Sequence, residues 1–291
     1  VGDKAAVDRA PDIDYLAQIA RSAEQLGFEA MLTPTGSWCE DAWITTAALS
    51  QVTTRLKFLV AFRPGFISPT LAAQQAQTFQ RISGGRLYLN IVTGGDPAEQ
   101  RRFGDHLSHD ERYARTAEFL QIPRGAWSGT PFDFAGKHYQ VEGATTLPSP
   151  AGGPPLFFGG ASPAAEDVAA RHVDVYLAWG ETPPQLAERL KRMREKAAAA
   201  GNDRLRFGVR LHVLGRDTAK EAWAAADALI ENLSPERIAA AQADLAKMDS
   251  VGQSRMRALH GGSRDSLEIY PNLWAGYGLV RARGIAEPLA A

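Results

Sequence analysis

Arg210 and His212 stand two apart in the run FGVRLHV (207–213), so on an extended strand both point to one face while Val209, Leu211 and Val213 take the other. A cationic pair on a buried strand needs an anion, since charge removed from water without a partner is strongly unfavourable. Two readings stay open: an internal ion pair or capped carbonyl, and an oxyanion site. Arg281, in the run GYGLVR, either swings over such an anion or stays a solvated surface arginine. Trp179 and Glu181 close the run VYLAWGE, where the indole serves as packing or as the apolar wall of a pocket. Cys39 lies just before a helix opened by Glu40 and Asp41. A thiol near a helix amino end can have a lowered pKa. No histidine stands beside Cys39, and the reading as an inert, small apolar residue is favoured.

Two stretches suit a phosphate. In GGASPAAED, the backbone N–H groups of Gly160, Ala161 and Ser162 open a helix beginning at Pro163, where the helix dipole adds positive potential; the same residues also suit a tight turn with a cap. Ser108 and Glu111 form a capping box that starts the helix carrying Arg112 and Tyr113. His106, His109, Asp110 and Glu111 lack a third or fourth ligand at helical or hairpin spacing, so no metal site is expected. No GxGxxG or GxxxxGK[ST] follows a strand and no GxSxG turn occurs, which argues against a Rossmann dehydrogenase, a P-loop NTPase and an α/β-hydrolase.

These residues sit at the ends of apolar runs that read as buried strands, each followed by a helical pattern: 30–36, 57–65, 87–97, 156–162, 175–181 and 207–213. Strand–helix alternation of this kind predicts an α/β fold with a parallel sheet, and functional groups gathered at strand ends predict a (β/α)8 TIM barrel with six recognisable strands. Asp12 caps a first helix ended by Gly27; Ser68 and Pro69 open another that stops at Ser83. Pro123 should kink or end the helix begun at Ser108. FDFAGKHYQV reads as a small hairpin, and two Ala-rich helices are expected over about 217–231 and 235–247. The stretch 250–283 has few apolar anchors and is expected to form a lid. Nothing before Asp12 or after Val280 reads as a strand, so an open sheet with two uncovered edges is expected.

The 291 residues carry a formal net charge of −1 and one cysteine. This balance gives no reason to bind nucleic acid. No apolar run has membrane-spanning length, and a single cysteine fits a reducing compartment. The expectation is one barrel domain over 1–291 with an insertion or lid at about 215–283, cytoplasmic, homo-oligomeric, and acting on a small molecule.

The strings PTGSWCEDAW, VTGGDPAEQ, SHDERY, FGGAS, YLAWGE, FGVRLHV, SVGQSRM and NLWAGYGLVR resemble, in order and spacing, the flavin-dependent alkanesulfonate monooxygenases of the bacterial luciferase-like superfamily. The resemblance implies a barrel that takes reduced FMN from a separate NAD(P)H-dependent FMN reductase, adds O2, and splits an alkanesulfonate into aldehyde and sulfite. It places Arg210, His212 and Arg281 around the sulfonate and the flavin, with Cys39 and Trp179 at the active site, Cys39 positioning the flavin rather than attacking as a nucleophile. It also implies that Thr93, Gly94, Tyr113, Gly160, Ala161 and Ser162 hold the flavin ring and its phosphate. The family's first and last strands have no counterpart in the sequence. Another organosulfur substrate, a deazaflavin cofactor, or a truncated non-catalytic flavin-binding remnant are the alternatives.

Overall fold

The structure, a computed structural model, describes residues 12–280 and the backbone of 286–290. Helix α1 (Ile13–Gln25) starts where the Asp12 carboxylate accepts from Tyr15 N at 2.8 Å. There follow β1 (Ala30–Thr33), α2 (Ala42–Leu49), β2 (Lys57–Phe62), α3 (Pro69–Ser83), β3 (Leu87–Ile91), α4 (Pro97–Arg102) and α5 (His109–Ala126). The expected hairpin is β4 (Phe132–Ala135) with β5 (Gln140–Ala144). Then come β6 (Leu156–Gly159), α6 (Pro163–His172), β7 (Val175–Trp179), α7 (Pro183–Ala199) and β8 (Arg206–Arg210).

Among the described residues, six strands form one parallel sheet in the order β1-β2-β3-β6-β7-β8. The result is the α/β half-barrel that the strand–helix alternation predicts, with β1 and β8 at its edges. Side chains alternate across it. Phe58, Val60, Leu87, Leu89, Ile91 and Phe158 are buried in the main core, where Phe58 meets Phe79 of α3 and Phe62 meets Phe119 of α5. Their neighbours in sequence line the opposite, concave face, and because every strand runs the same way, all six carboxyl ends open on one side.

Three expectations are corrected. The run 207–213 is not one strand: the β7 ladder ends at Trp179 opposite Arg210, so the chain leaves the sheet at Leu211 and continues as β9 (His212–Arg216) in a different sheet. A strand does follow Val280. After α8 (Ala219–Ile230), α9 (Pro235–Ala246), α10 (Val251–Ala258), β10 (Glu268–Tyr270), β11 (Leu273–Trp274) and a 3-10 turn (Gly276–Leu279), β12 (Ala286–Ala290) pairs in parallel with β9. Its sequence, AEPLA, has weak strand propensity, so the long-range ladder makes it a strand. Pro123 does not end its helix: α5 runs on to Ala126, with the proline in its last turn and Trp127 N donating to Pro123 O at 2.9 Å. The region beyond β9 also has an apolar centre of its own, where Trp274 (1% exposed) and Leu279 pack with Ala226, Ile230 and Ile238. No helix among the described residues is long and apolar enough to cross a membrane.

The entry into β2 hangs on one carboxylate. Glu24 Oε1 accepts from the backbone N of Thr54 (2.8 Å), Arg55 (2.5 Å) and Leu56 (2.9 Å). These N–H groups, those of Arg55 and Leu56 foremost, lower its pKa from the ordinary 4.5 to about 2. Because the folded value lies below the unfolded one, this stabilisation is present above pH 4.5 and is lost as pH falls toward 2. Glu24→Gln is expected to lower the urea-unfolding midpoint at pH 7 and to flatten the decline in stability between those two pH values, read from unfolding curves across that range.

Candidate active site

The concave face ends in a cleft at the strand ends, where β1 contributes Leu32. β3 contributes Asn90 and the turn Thr93–Gly95; β6 contributes the turn Gly160–Ser162; β7 contributes Leu177 and Trp179; β8 contributes Arg210. The first turn of α5 adds His109 and Tyr113, and residues 249–253 lie across the top. The enclosed part is about 150 Å³ within about 1000 Å³ of space that opens to solvent. A roomier hollow of about 720 Å³ between α9 and α10 gathers no strand ends, and Gln242 there is occupied by the carbonyls of Gly278 and Leu279 and by Arg257. The cleft is where chemistry can be organised.

Its floor is held by local hydrogen bonds. Ser162 Oγ accepts from Ala165 N at 3.2 Å, capping α6, and Tyr176 Oη donates to Gly160 O at 2.6 Å, which fixes the turn before it. The N–H groups at the start of α6 therefore face a pre-shaped space with the positive end of a helix behind them. A methyl group at Gly160 would meet Ala165 Cβ at 2.5 Å and Tyr113 Oη at 3.5 Å, so only glycine allows this approach. Tyr113 is 9% exposed; burial pushes its phenol above the ordinary value, and the nearby hydroxyls of Thr93 and Ser162 offset part of that rise. Its ring lies 4.8 Å from His109, whose Nδ1 is 2.7 Å from Asp110 Oδ1. Thr93 Oγ1 is buried and within reach of Tyr113, yet has no hydrogen bond of good geometry among the described residues.

Arg210 supplies the charge. Its side chain keeps an outer surface in solvent, but the concave wall desolvates it enough to lower its pKa, and no carboxylate pairs with it among the described residues. The buried cation on the wall, Arg189 of α7, is already paired with Glu181 at 2.5 Å, and Arg255 of α10 reaches the same carboxylate at 3.9 Å. The cover is tied down by Asp249, whose N donates to Gly95 O at 2.9 Å and whose carboxylate accepts from Arg112 at 3.3 Å.

Of the residues singled out in the sequence, Thr93, Gly94, Tyr113, Gly160, Ala161, Ser162, Trp179 and Arg210 line this cleft. Cys39 does not. It lies in the turn after β1, where its Sγ is 3.5 Å from Gly36 O, and burial and the charge of Glu99 push its thiol above the ordinary value. His212 lies past the break at Leu211 with its ring packed at a tilt against Tyr277, centroids 4.5 Å apart. Arg281 lies outside the described residues. Sequence reasoning missed Asn90, His109 as a lining residue, and Arg189. Asn90 is legible as a polar residue inside the apolar run LYLNI, and Arg189 as an arginine at a core position of the spacing Leu186, Arg189, Met193, Ala197. No group of three or more His, Cys, Asp or Glu that could hold a metal occurs among the described residues.

Residues 2–290 match the family model described as luciferase-like monooxygenase. Among solved structures, the chain is similar to EDTA monooxygenase from Chelativorans sp. BNC1, at 22% identity and a TM-score of 0.71 over 79% of this chain and 62% of that one. It is similar to a long-chain alkane monooxygenase at 20% identity and a TM-score of 0.76, covering 95% and 74% of the two chains. It is also similar to the oxygenating constituent of 3,6-diketocamphane monooxygenase from Pseudomonas putida, solved in complex with FMN, at 21% identity and a TM-score of 0.65, covering 78% and 70%. Likeness at these identities carries the fold alone. The chain spans 62% of the length of the EDTA monooxygenase.

Gly94 has φ +89°, and a Cβ there would lie 1.6 Å from Gln100 Nε2, which donates to Thr93 O at 3.1 Å. Gln100 is 2% exposed and cannot swing away freely. Gly94→Ala should therefore destabilise the fold by about 1–3 kcal/mol, measured by urea unfolding, through backbone strain and loss of that clamp.

Proposed function

The chain belongs to the luciferase-like monooxygenase family, and on that footing we propose that it is the oxygenating component of a two-component system that desulfonates alkanesulfonates to aldehyde and sulfite. In this reading it receives reduced FMN from a separate NAD(P)H-dependent reductase and uses O2. What carries it is one observation: a guanidinium, Arg210, that no carboxylate pairs with among the described residues, on the wall of a cleft whose floor is a helix amino end and a glycine turn.

The residues present fit a flavin mononucleotide. Thr93 Oγ1 is a buried hydroxyl with no hydrogen bond of good geometry among the described residues, the Gly160 turn is a cradle that a Cβ would fill, and the start of α6 offers N–H groups to a phosphate. Tyr113 and Ser162 would hold the phosphate end; Thr93 and Gly94 would border the ring. Reduced flavin, when bound, supplies the two electrons with which O2 delivers one oxygen atom to product and one to water.

The protein's own part is to bind, orient and keep water out. A sulfonate stays ionised at physiological pH, so a fixed, always-protonated guanidinium suits it better than a titrating group, and forked N–H donors match its oxygens. Arg210 would orient it against the apolar wall of Trp179; Arg281 enters the proposal on sequence alone, and so does His212, whose ring lies outside the cleft lining against Tyr277. Residues 249–253, tied to Gly95 and Arg112, would act as the lid of a single barrel domain.

A homo-oligomer belongs to the same reading. The surface it would use is the apolar groove between α2 and α3, lined by Trp43, Ile44 (74% exposed), Phe79 and Ile82 (50% exposed).

Full-length protein supplied with reduced FMN, O2 and a panel of alkanesulfonates is expected to release sulfite, and none across the panel would sink the assignment. Arg210→Ala should lower kcat/KM for sulfonates roughly 10- to 100-fold, the loss of one or two charge-assisted hydrogen bonds, with little change in FMN affinity. An equal loss on a neutral sulfone would point instead to an uncharged organosulfur substrate.

A further inference from the structure

The structure holds a buried charge pair beside, not in, the cleft. Arg63, just past the end of β2, and Glu99 of α4 are 6% and 8% exposed and meet at 2.5 Å between Nη2 and Oε2. Removing two charges from water costs several kcal/mol each, so such a pair is weak evidence for stability and invites the question of what it organises.

We propose that Glu99 is a positioning residue for Cys39: its carboxylate, fixed by Arg63, grips the turn that carries the thiol and sets the charge which that thiol faces. Glu99 Oε1 accepts from Ser37 N at 2.9 Å, with Ser37 Oγ at 3.5 Å. Gly36 packs directly on it, since a Cβ there would lie 3.0 Å from Glu99 Oε1. On the far side of the same turn, Cys39 donates from Sγ to Gly36 O at 3.5 Å and to Pro34 O at 3.7 Å. Carboxylate and thiol thus hold the two sides of one short turn.

The clamp is rigid for stated reasons. The guanidinium of Arg63 lies 5.5 Å from the Phe66 ring and 5.9 Å from that of Phe103, which stack on each other at 4.6 Å, and its Nη2 also reaches Thr35 O at 3.5 Å. Next to Glu99, Gln100 Nε2 donates to Thr93 O at 3.1 Å. Two consecutive polar residues of a six-residue helix therefore tie together the ends of β1, β2 and β3. The charges facing the thiol are Glu99 of α4, Glu40 of its own turn and Arg63 after β2; the carboxylates and burial oppose the thiolate, while the guanidinium favours it. The net effect of this arrangement is to oppose the thiolate, pushing the Cys39 thiol above its ordinary value. Only its consequence for catalysis rests on the flavin reading.

The test is the pH midpoint of Cys39 alkylation by iodoacetamide, followed by mass spectrometry in the absence of flavin. Cys39 is the only cysteine in the chain, so the signal has one source. Glu99→Gln removes an opposing charge and is expected to move the midpoint down; Arg63→Gln removes the favouring charge and is expected to move it up. Opposite signs support the proposal, because general loosening of the fold would take both variants toward the same unfolded value. Movement in one direction by both, or an unchanged midpoint in folded Glu99→Gln, overturns it. Should Glu99→Gln not fold, Glu99→Asp, which retracts the charge by one methylene, is expected to give a smaller downward movement, and a wild-type midpoint there overturns the proposal equally. A failed sulfite assay leaves this result untouched, and the reverse also holds.

Discussion

The parallel ladder that sets Gly159 opposite Leu177 and Trp179 opposite Arg210 is the constraint on which the cleft rests. Side chains alternate along a strand, so a slip of one residue would turn Arg210 out of the cleft and bring Val209 in. The buried outer face resists that slip. Phe58, Leu89 and Phe158 are fully or almost fully buried on it, and each would have to exchange places with a neighbour on the concave face. Core packing on one side of the sheet thus determines which groups meet on the other.

The polar groups near the strand ends follow a common rule. Buried cations are matched before they can act elsewhere: Arg63 by Glu99, Arg115 by Asp105, Arg189 by Glu181. Arg210 stands outside that set: it is exposed and no carboxylate pairs with it among the described residues, so its charge remains available to an anion in the cleft. Arg210 pays for its freedom with only partial burial, which leaves its outer surface hydrated.

How much of this was legible in the sequence varies with the range of the interaction. The Asp12, Ser68, Ser108 and Ser162 caps, the strand ends and the six-stranded open sheet were readable, since each depends on residues a few positions apart or on apolar runs. The break at Leu211 was not, because VRLHV alternates perfectly and only the end of the β7 partner dictates where β8 stops. Strand β12 was not either, since AEPLA has little propensity of its own and takes its form from β9. Pro123 misled in the opposite direction: its effect depends on its distance from the helix end, which the local pattern leaves undetermined.

Residue types and local spacing alone therefore determined the strand–helix alternation, the helix starts and a list of groups able to hold an anion and a phosphate, because capping, turn formation and periodicity are short-range physics. Tertiary structure alone decided which of them converge. It brought Arg210 into a cleft with Tyr113 and Ser162, set Cys39 aside in a turn that Glu99 holds at Ser37, and joined Arg112 to Asp249 across 137 positions. Those outcomes depend on sheet register, on the break at Leu211 and on where charge can be buried in pairs, and no window of neighbouring residues contains that information.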